Sequence, residues 1–416
     1  MFEFNEKISL AAGAAMERIR PKFAEIEKIE DKTQGRVLQA FISNCVQSSH
    51  FAETTGYGYG DVGRENLDAL CADIYGGEDA LIRHSFACGT ATIAAGLHGI
   101  LRPGDTLLVV SGTPYDTLHP VLGLRKSAGS LADFGVKYAQ TELTSQGDFD
   151  YPAIKAALAR YSPKVVYLQR SRGYTLRAAI TIAQIEKLAD FVHKNSSAAV
   201  FADNCYGEFT EELEPCHVGA DIVAGSLIKN AGGGVARCGG YLAGRRDLIE
   251  LCAVRMSCAG LGRKVGASLG NNRELFLSLF HAPHVTAQAL KSAVFAATLF
   301  EDLGYEVLPR PEEKRSDIVQ AIKLGGREKL IAFCQAIQSA SPVDSLYAPV
   351  PGPMPGYDSE IIMATGAFTS GSSIELSADA PLREPYAVWL QGGLNFVSAK
   401  LAVTHAAQAV GENIDN

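Results

Sequence analysis

Between about residues 63 and 285 the chain alternates short apolar runs with longer amphipathic stretches, and this alternation narrows the fold more than any other feature. The helix-like LDALCADIYG precedes the strand-like DTLLVVSG and PKVVYLQ. ITIAQIEKLADFVHKN, again helix-like, leads into AAVFAD, DIVAGS and GGYLAG. Runs that are apolar at nearly every position suit strands buried on both faces. Strands separated by helices suit a parallel or mostly parallel sheet covered by helices, so the expected class is α/β. Two of the runs lead to reactive groups. Residues 198–201 lead to Asp203 in VFADNCYGEF, and 221–226 lead to Lys229 in GSLIKNAGGG. Functional residues of such sheets gather at the carboxyl ends of strands, so two adjacent ends would point a carboxylate and an amine into one crevice. In isolation, an aspartate would be a turn cap and a lysine a solvated loop residue. Their strand-end context argues against both readings.

A chain of 416 residues is long enough for two or more domains and a core that excludes water. With 47% apolar and 20% charged residues and a formal charge of -8, the composition suggests neither disorder nor a basic surface for nucleic acid. The first twenty residues contain Glu3, Glu6 and Glu17 and do not read as a secretion signal. No segment is long enough to span a membrane. The nine cysteines form no CxxC pair and the nine histidines show no metal-ligand spacing, so neither a disulfide framework nor a metal site is expected. A reducing cytoplasm fits best. Cys205 stands close enough to Asp203 in sequence to approach a site, although a buried free cysteine is usually packing.

The organisation reads as a helical arm and inter-subunit loop over 1–62, a large domain over 63–285 and a smaller C-terminal α+β domain over 286–416. The arm contains two amphipathic stretches, 8–29 and 34–46, before the glycine-rich TTGYGYGDVG. Gly58, Gly60 and Gly63 formally spell GxGxxG, with Glu78 and Asp79 downstream. The polar QSSHFAETT before them is not the apolar strand that a dinucleotide fingerprint requires. A loop reaching another subunit is the better reading. A helical segment over 284–303 opens the C-terminal part.

The lysine and the aspartate are the two groups that pyridoxal phosphate requires. Its aldehyde needs an amine, and its pyridine nitrogen needs a carboxylate to stay protonated. In IRHSFACGTATIAAGLHG, Gly89 and Thr90 stand just before a helix-like run, where free backbone N-H groups can hold a phosphate. Gly89 permits close approach, while the Thr90 and Ser226 hydroxyls add hydrogen bonds. Thr90 would otherwise be a simple N-cap. Tyr115, in SGTPYDTL after the next strand, can lie against the pyridine ring; an isolated tyrosine there would be packing.

In this order, a GT before a helix, a tyrosine after the next strand, DN at a strand end and SxxK beyond it resemble the fold-type I pyridoxal-phosphate enzymes of cysteine and methionine metabolism. The phrases TGYGYGDVGREN, QRSRGY, FADNCYGEF, GSLIKNAGGG and SIELSAD.PLREPY resemble more narrowly the methionine gamma-lyase-like family, often labelled aluminium resistance proteins, over nearly the whole chain. The resemblance implies that Lys229 is the Schiff-base lysine and proton shuttle, Asp203 the pyridinium partner and Tyr115 the stacking ring. It gives phosphate binding to Gly89, Thr90 and Ser226, with Tyr57, Tyr59 and Arg64 as candidates supplied by a neighbouring subunit. The wider group usually has threonine just before the lysine, where this chain has Ile228.

A substrate carboxylate calls for a guanidinium that can make two parallel hydrogen bonds. Arg383 is the first candidate, unless it forms an ordinary surface ion pair, and Arg170 and Arg172 in QRSRGY compete with it. The expected activity is a carbon-sulfur lyase acting on a sulfur amino acid of the cystathionine, methionine or cysteine type, giving a 2-oxo acid and ammonia. An aminotransferase would use the same lysine and aspartate, and a protein binding pyridoxal phosphate without turnover is a further alternative. A site shared between chains implies a homo-oligomer, a dimer or a dimer of dimers.

Overall fold

The computed structural model describes residues 2–57, 60–354 and 359–412. Seven strands form the first sheet: β1 (Asp79–Arg83), β2 (Thr106–Val109), β3 (Lys137–Gln140), β4 (Val165–Gln169), β5 (Ala199–Asp203), β6 (Ile222–Ser226) and β7 (Gly240–Gly244). Their order is β1-β7-β6-β5-β4-β2-β3. The pairings from β3 through β6 are all parallel, and β7 runs antiparallel to both β6 and β1. The protein is therefore a mixed α/β structure with a mostly parallel central sheet, as its alternating pattern predicts. DTLLVVSG, PKVVYLQ, AAVFAD, DIVAGS and GGYLAG supply β2, β4, β5, β6 and β7.

Side-chain alternation divides this sheet between two cores. Along β5, Val200 and Ala202 pack with residues of α2 (Val62–Tyr75), α5 (Tyr151–Tyr161) and α6 (Ile182–Asn195). Ala199 and Phe201 pack on the other face with residues of α3 (Gly89–Ile100) and α7 (Arg246–Met256). β4 and β6 repeat the pattern. The same alternation carries Gln169, Asp203 and Ser226, the last residues of three neighbouring strands, onto the α3 face at the carboxyl edge of the sheet.

Five antiparallel strands form the second sheet, β8 (Glu306–Leu308), β9 (Gln320–Lys323), β10 (Ile361–Ala364), β11 (Ser377–Pro381) and β12 (Ala387–Gln391), in the order β10-β11-β12-β9-β8. Ala378 and Ala380 of β11 face a core shared with α9 (Arg327–Ser339) and α10 (Phe396–Glu412). Ser377 and Asp379, on the opposite face, line a cavity with the carboxyl edge of the first sheet.

Two helices differ from the sequence expectation. α1 (Glu6–Ser43) is one helix rather than two stretches, since nothing between residues 29 and 34 breaks it, and Pro21 lies inside it. Its Ile8, Ala15, Ile19 and Ile26 join the core of the second sheet. α8 (Asn272–Asp302) begins twelve residues before the expected 284, because Pro283 is buried within the helix instead of starting it. α8 crosses the expected 285/286 boundary, giving Leu275, Phe276 and Leu279 to one core and Val285, Leu290 and Phe295 to the other.

Candidate active site

Asp203 and Lys229 line one cavity of about 330 Å³. Asp203 is buried at the end of β5, where its Oδ1 accepts a hydrogen bond from the Cys205 backbone N-H at 3.0 Å and its Oδ2 accepts one from the Tyr167 hydroxyl at 3.2 Å. Burial raises its pKa above the usual carboxylate value, while the nearby Lys229 charge and the two donors pull the other way.

Lys229 sits three residues past β6, with its Nζ 4.1 Å from the centre of the Tyr206 ring. Burial disfavours its charge, but Cys205, Tyr206, Asp203 and Glu208 together outweigh burial, and its pKa is raised. The protein alone therefore keeps Lys229 as an ammonium. A positive charge bound beside it would lower that pKa.

The turn after Asp203 delivers Tyr206 to the lysine. Tyr206 and Phe209 both have left-handed backbone, with φ of 70° and 60°, a conformation that non-glycine residues hold only when their surroundings impose it. Arg170 supplies part of that constraint by donating to Asn204 Oδ1 at 2.8 Å and to the Gly207 carbonyl at 2.7 Å. Asn230 Nδ2 donates to the Tyr206 and Glu208 carbonyls, both at 3.0 Å. The Tyr206 hydroxyl donates to Ser373 Oγ at 2.9 Å. Ser373 N-H in turn donates to the Ile228 carbonyl at 3.2 Å, tying the second sheet's approach to the lysine segment.

Gly89, Thr90, Tyr115 and Ser226 also line the cavity. Gly89 opens α3, and a Cβ there would lie 2.9 Å from Ser226 Cβ. Ser226 is buried, and its Oγ has no hydrogen-bond partner among the described residues. An orphaned hydroxyl facing a helix start that only glycine leaves open is the donor set of a small phosphate site. Thr90 Oγ1 shares a hydrogen bond with Thr117 Oγ1 at 2.9 Å, which brings a second hydroxyl that sequence reasoning passed over. Tyr115 lies beyond β2, its backbone N-H donating to Gln169 Oε1 at 2.7 Å and its ring edge-on to Tyr174, with centroids 5.5 Å apart. An amine, a buried carboxylate, an aromatic ring and this cradle in one cavity fit pyridoxal phosphate.

The arginines lie elsewhere. None of Arg170, Arg172 and Arg383 lines the cavity. Arg170 is fully buried and spends its guanidinium on the turn after Asp203 and on Glu211 at 3.0 Å. Arg172 faces Asp317 at 3.5 Å, and Arg383 is exposed on the turn after β11. Tyr57 is 92% exposed. Arg64 is buried and donates to the Gly266 carbonyl at 2.8 Å in its own chain. Neither lines this chain's cavity, and Tyr59, like Gly58, falls outside the described residues. Sequence reasoning missed Tyr206 and Asp379, although both stand inside the quoted phrases FADNCYGEF and SIELSAD.

The profile of the family described as methionine gamma-lyase matches residues 8–411. The chain is 48% identical over 389 residues to the uncharacterized protein YnbB of Bacillus subtilis (strain 168), spanning 93% of this chain and 92% of that one. Among solved structures, a carbon-sulfur lyase involved in aluminum resistance from Clostridium novyi NT is 44% identical, with a TM-score of 0.94 over 97% of this chain and 96% of its own. The L-methionine gamma-lyase of Pseudomonas putida is 29% identical over 207 residues, which is 49% of this chain and 45% of that enzyme.

Proposed function

This chain belongs to the methionine gamma-lyase family, and on that premise we propose that it is a pyridoxal-phosphate-dependent carbon-sulfur lyase releasing a thiol from a sulfur amino acid. The observation that carries this reading is the shared cavity of Lys229, Asp203 and the Gly89/Ser226 cradle. The cofactor, when bound, supplies an aldehyde for an amine and a ring that accepts electrons from the substrate. Asp203 holds the positive ring nitrogen in a buried place where the charge is unscreened. Ser226, Thr90 and the free N-H groups opening α3 hold the phosphate. Tyr115 offers its ring as a wall. Lys229 Nζ takes the proton from the substrate's α carbon and can return it. A positive charge between Lys229 and Asp203 offsets the acidic neighbours and brings the amine toward the neutral state in which it acts as a base.

Tyr57 is exposed and does not line its own chain's cavity, which suits a residue that completes a second copy's site, so we place the protein in a homo-oligomer, a dimer or a dimer of dimers. Among the described residues no helix is long and apolar enough to cross a membrane.

The test is release of thiol and 2-oxo acid from cystathionine, methionine, homocysteine and cysteine by cofactor-loaded protein. Pyruvate would assign departure from the β carbon and 2-oxobutanoate departure from the γ carbon. Amine transfer to a second oxo acid without thiol release would overturn the lyase reading in favour of an aminotransferase. The phosphate cradle has its own test. Gly89→Val drives a branched side chain toward Ser226, and cofactor affinity is expected to fall at least about tenfold, the loss of one charge-assisted hydrogen bond. Titration of the cofactor's absorbance into apo protein measures this, and unchanged affinity would remove the start of α3 from the phosphate site.

A further inference from the structure

The two sheets bring different chemistry to the cavity they share. The carboxyl edge of the first supplies Asp203, Ser226 and the opening of α3, the groups that fit the cofactor. The wall from the second sheet and its approaches is neutral except for one side chain among the described residues, Asp379, with Met354 and Met363 among its apolar members. Asp379 is buried on β11. Its hydrogen bonds within the chain both end on Oδ2, from the Tyr174 hydroxyl and from Gln391 Nε2 at 2.9 Å each. Gln391 also donates to Ser377 Oγ at 3.1 Å, which fixes the amide against β11. Oδ1 is left for an occupant of the cavity. The groups whose charge Asp379 meets are Lys229, Tyr206 and Cys334, with Tyr174 hydrogen-bonded to it. Burial raises its carboxyl to about 6, against the two donors and Lys229, which lower it, so the carboxylate form prevails at neutral pH.

A buried carboxylate with a free oxygen is a strong recognition element for a cation, because opposite charges shielded from water attract strongly and the hydrogen bond between them is charge-assisted. Lys229 is the only lysine or arginine lining the cavity among the described residues, and the cofactor engages it. The substrate's α-amine is committed to the cofactor as well, so the arm beyond sulfur is the part of the substrate free to meet Asp379. Resting on the lyase reading above, we propose that Asp379 is a specificity-determining residue that receives a cationic group, a primary ammonium, carried by the thiol that the enzyme releases. Met354 and Met363 offer an adaptable apolar wall to the thioether stem bearing that ammonium. An uncharged alkyl arm would leave Oδ1 without a partner in a buried place. A carboxylate arm would meet a like charge there.

The experiment compares cofactor-loaded wild type and Asp379→Asn on thioethers of cysteine and of homocysteine whose arms are 2-aminoethyl, propyl or carboxymethyl, and reads kcat/KM for thiol release. Wild type is expected to favour the aminoethyl arm over the propyl arm by at least about tenfold, the scale of one charge-assisted hydrogen bond, and to disfavour the carboxymethyl arm. In Asp379→Asn the aminoethyl-to-propyl ratio should fall to within about threefold, since an amide keeps the shape and loses the charge. Damage to the fold lowers the rates on all arms alike and leaves this ratio unmoved. A wild-type ratio near unity, or a ratio that survives in Asp379→Asn, would overturn the proposal. Should the variant fail to fold, the wild type decides by its pH dependence. The arm's ammonium stays charged between about pH 8 and about pH 5, whereas free Asp379 takes up a proton as the pH falls through about 6. The ratio should therefore shrink toward acid pH, and a constant ratio would overturn the assignment. Titration of the cofactor absorbance with the same amino acids reads binding without C-S cleavage. No thiol from any arm would overturn the lyase reading, and the binding ratio would then uphold or overturn the role of Asp379 on the same terms.

Discussion

Thiol release is expected to fall by at least about 10²- to 10⁴-fold when Lys229 is replaced by alanine, the range of a lost general acid-base group alone. In the proposed function the residue has two tasks, holding the cofactor and moving the α-proton, and no other lysine lines the cavity among the described residues. The substitution also removes a cation that lowers the pKa values of two buried carboxylates, Asp203 and Asp379. Both should then bind protons more readily, and Asp203 should hold the ring nitrogen less firmly at neutral pH. The check is steady-state thiol release together with cofactor absorbance, repeated with added methylamine as a replacement base. Partial rescue by the amine would tie the loss to proton transfer. A variant retaining activity within about tenfold of wild type would remove Lys229 from the chemistry.

Arg170→Met is expected to destabilise the protein by about 3–5 kcal/mol, the scale for breaking one side of a buried ion pair. Arg170 is fully buried and donates to Asn204 Oδ1, the Gly207 carbonyl and Glu211, with a longer bond to the Ile180 carbonyl at 3.3 Å. Methionine fills similar volume but leaves these acceptors without their donor and takes one cation from Glu211 and from the buried Glu214, 3.9 Å from the guanidinium, which keep Lys314 and Arg36 respectively. Relaxation of the left-handed Tyr206 would also carry the ring away from Lys229. Denaturant unfolding monitored at the cofactor and by far-ultraviolet circular dichroism reads both effects. Loss below about 1 kcal/mol would show the turn to be held by its other contacts.

The difference between these two residues shows which properties were legible along the chain. Lys229 and Asp203 were readable because each follows a short apolar run, and a parallel strand end is a local pattern with a definite spatial meaning. Gly89, Thr90 and Ser226 were readable for the same reason, since a glycine before a helix and a serine at a strand end take their geometry from neighbours in sequence. β1 and β3 were not readable. Asp79–Arg83 runs directly into a turn, and Lys137–Gln140 is a short edge strand with only one buried residue. In both cases pairing to a distant strand, rather than local periodicity, makes the strand.

The sequence by itself determined the α/β class and the strand ends that bring Asp203 and Lys229 to one carboxyl edge, because these depend on period, strand ends and residue type. The tertiary structure alone decided which charged groups belong to the cavity. Arg170 and Arg383 are the same chemical group in sequence, but one is consumed by a buried turn and the other faces solvent. Asp379 enters the site only because β11 turns alternate side chains toward the edge of a different sheet. Lys229's charge state was likewise a tertiary matter. Burial and four acidic neighbours act in opposite directions, and their balance depends on distances that no local pattern contains.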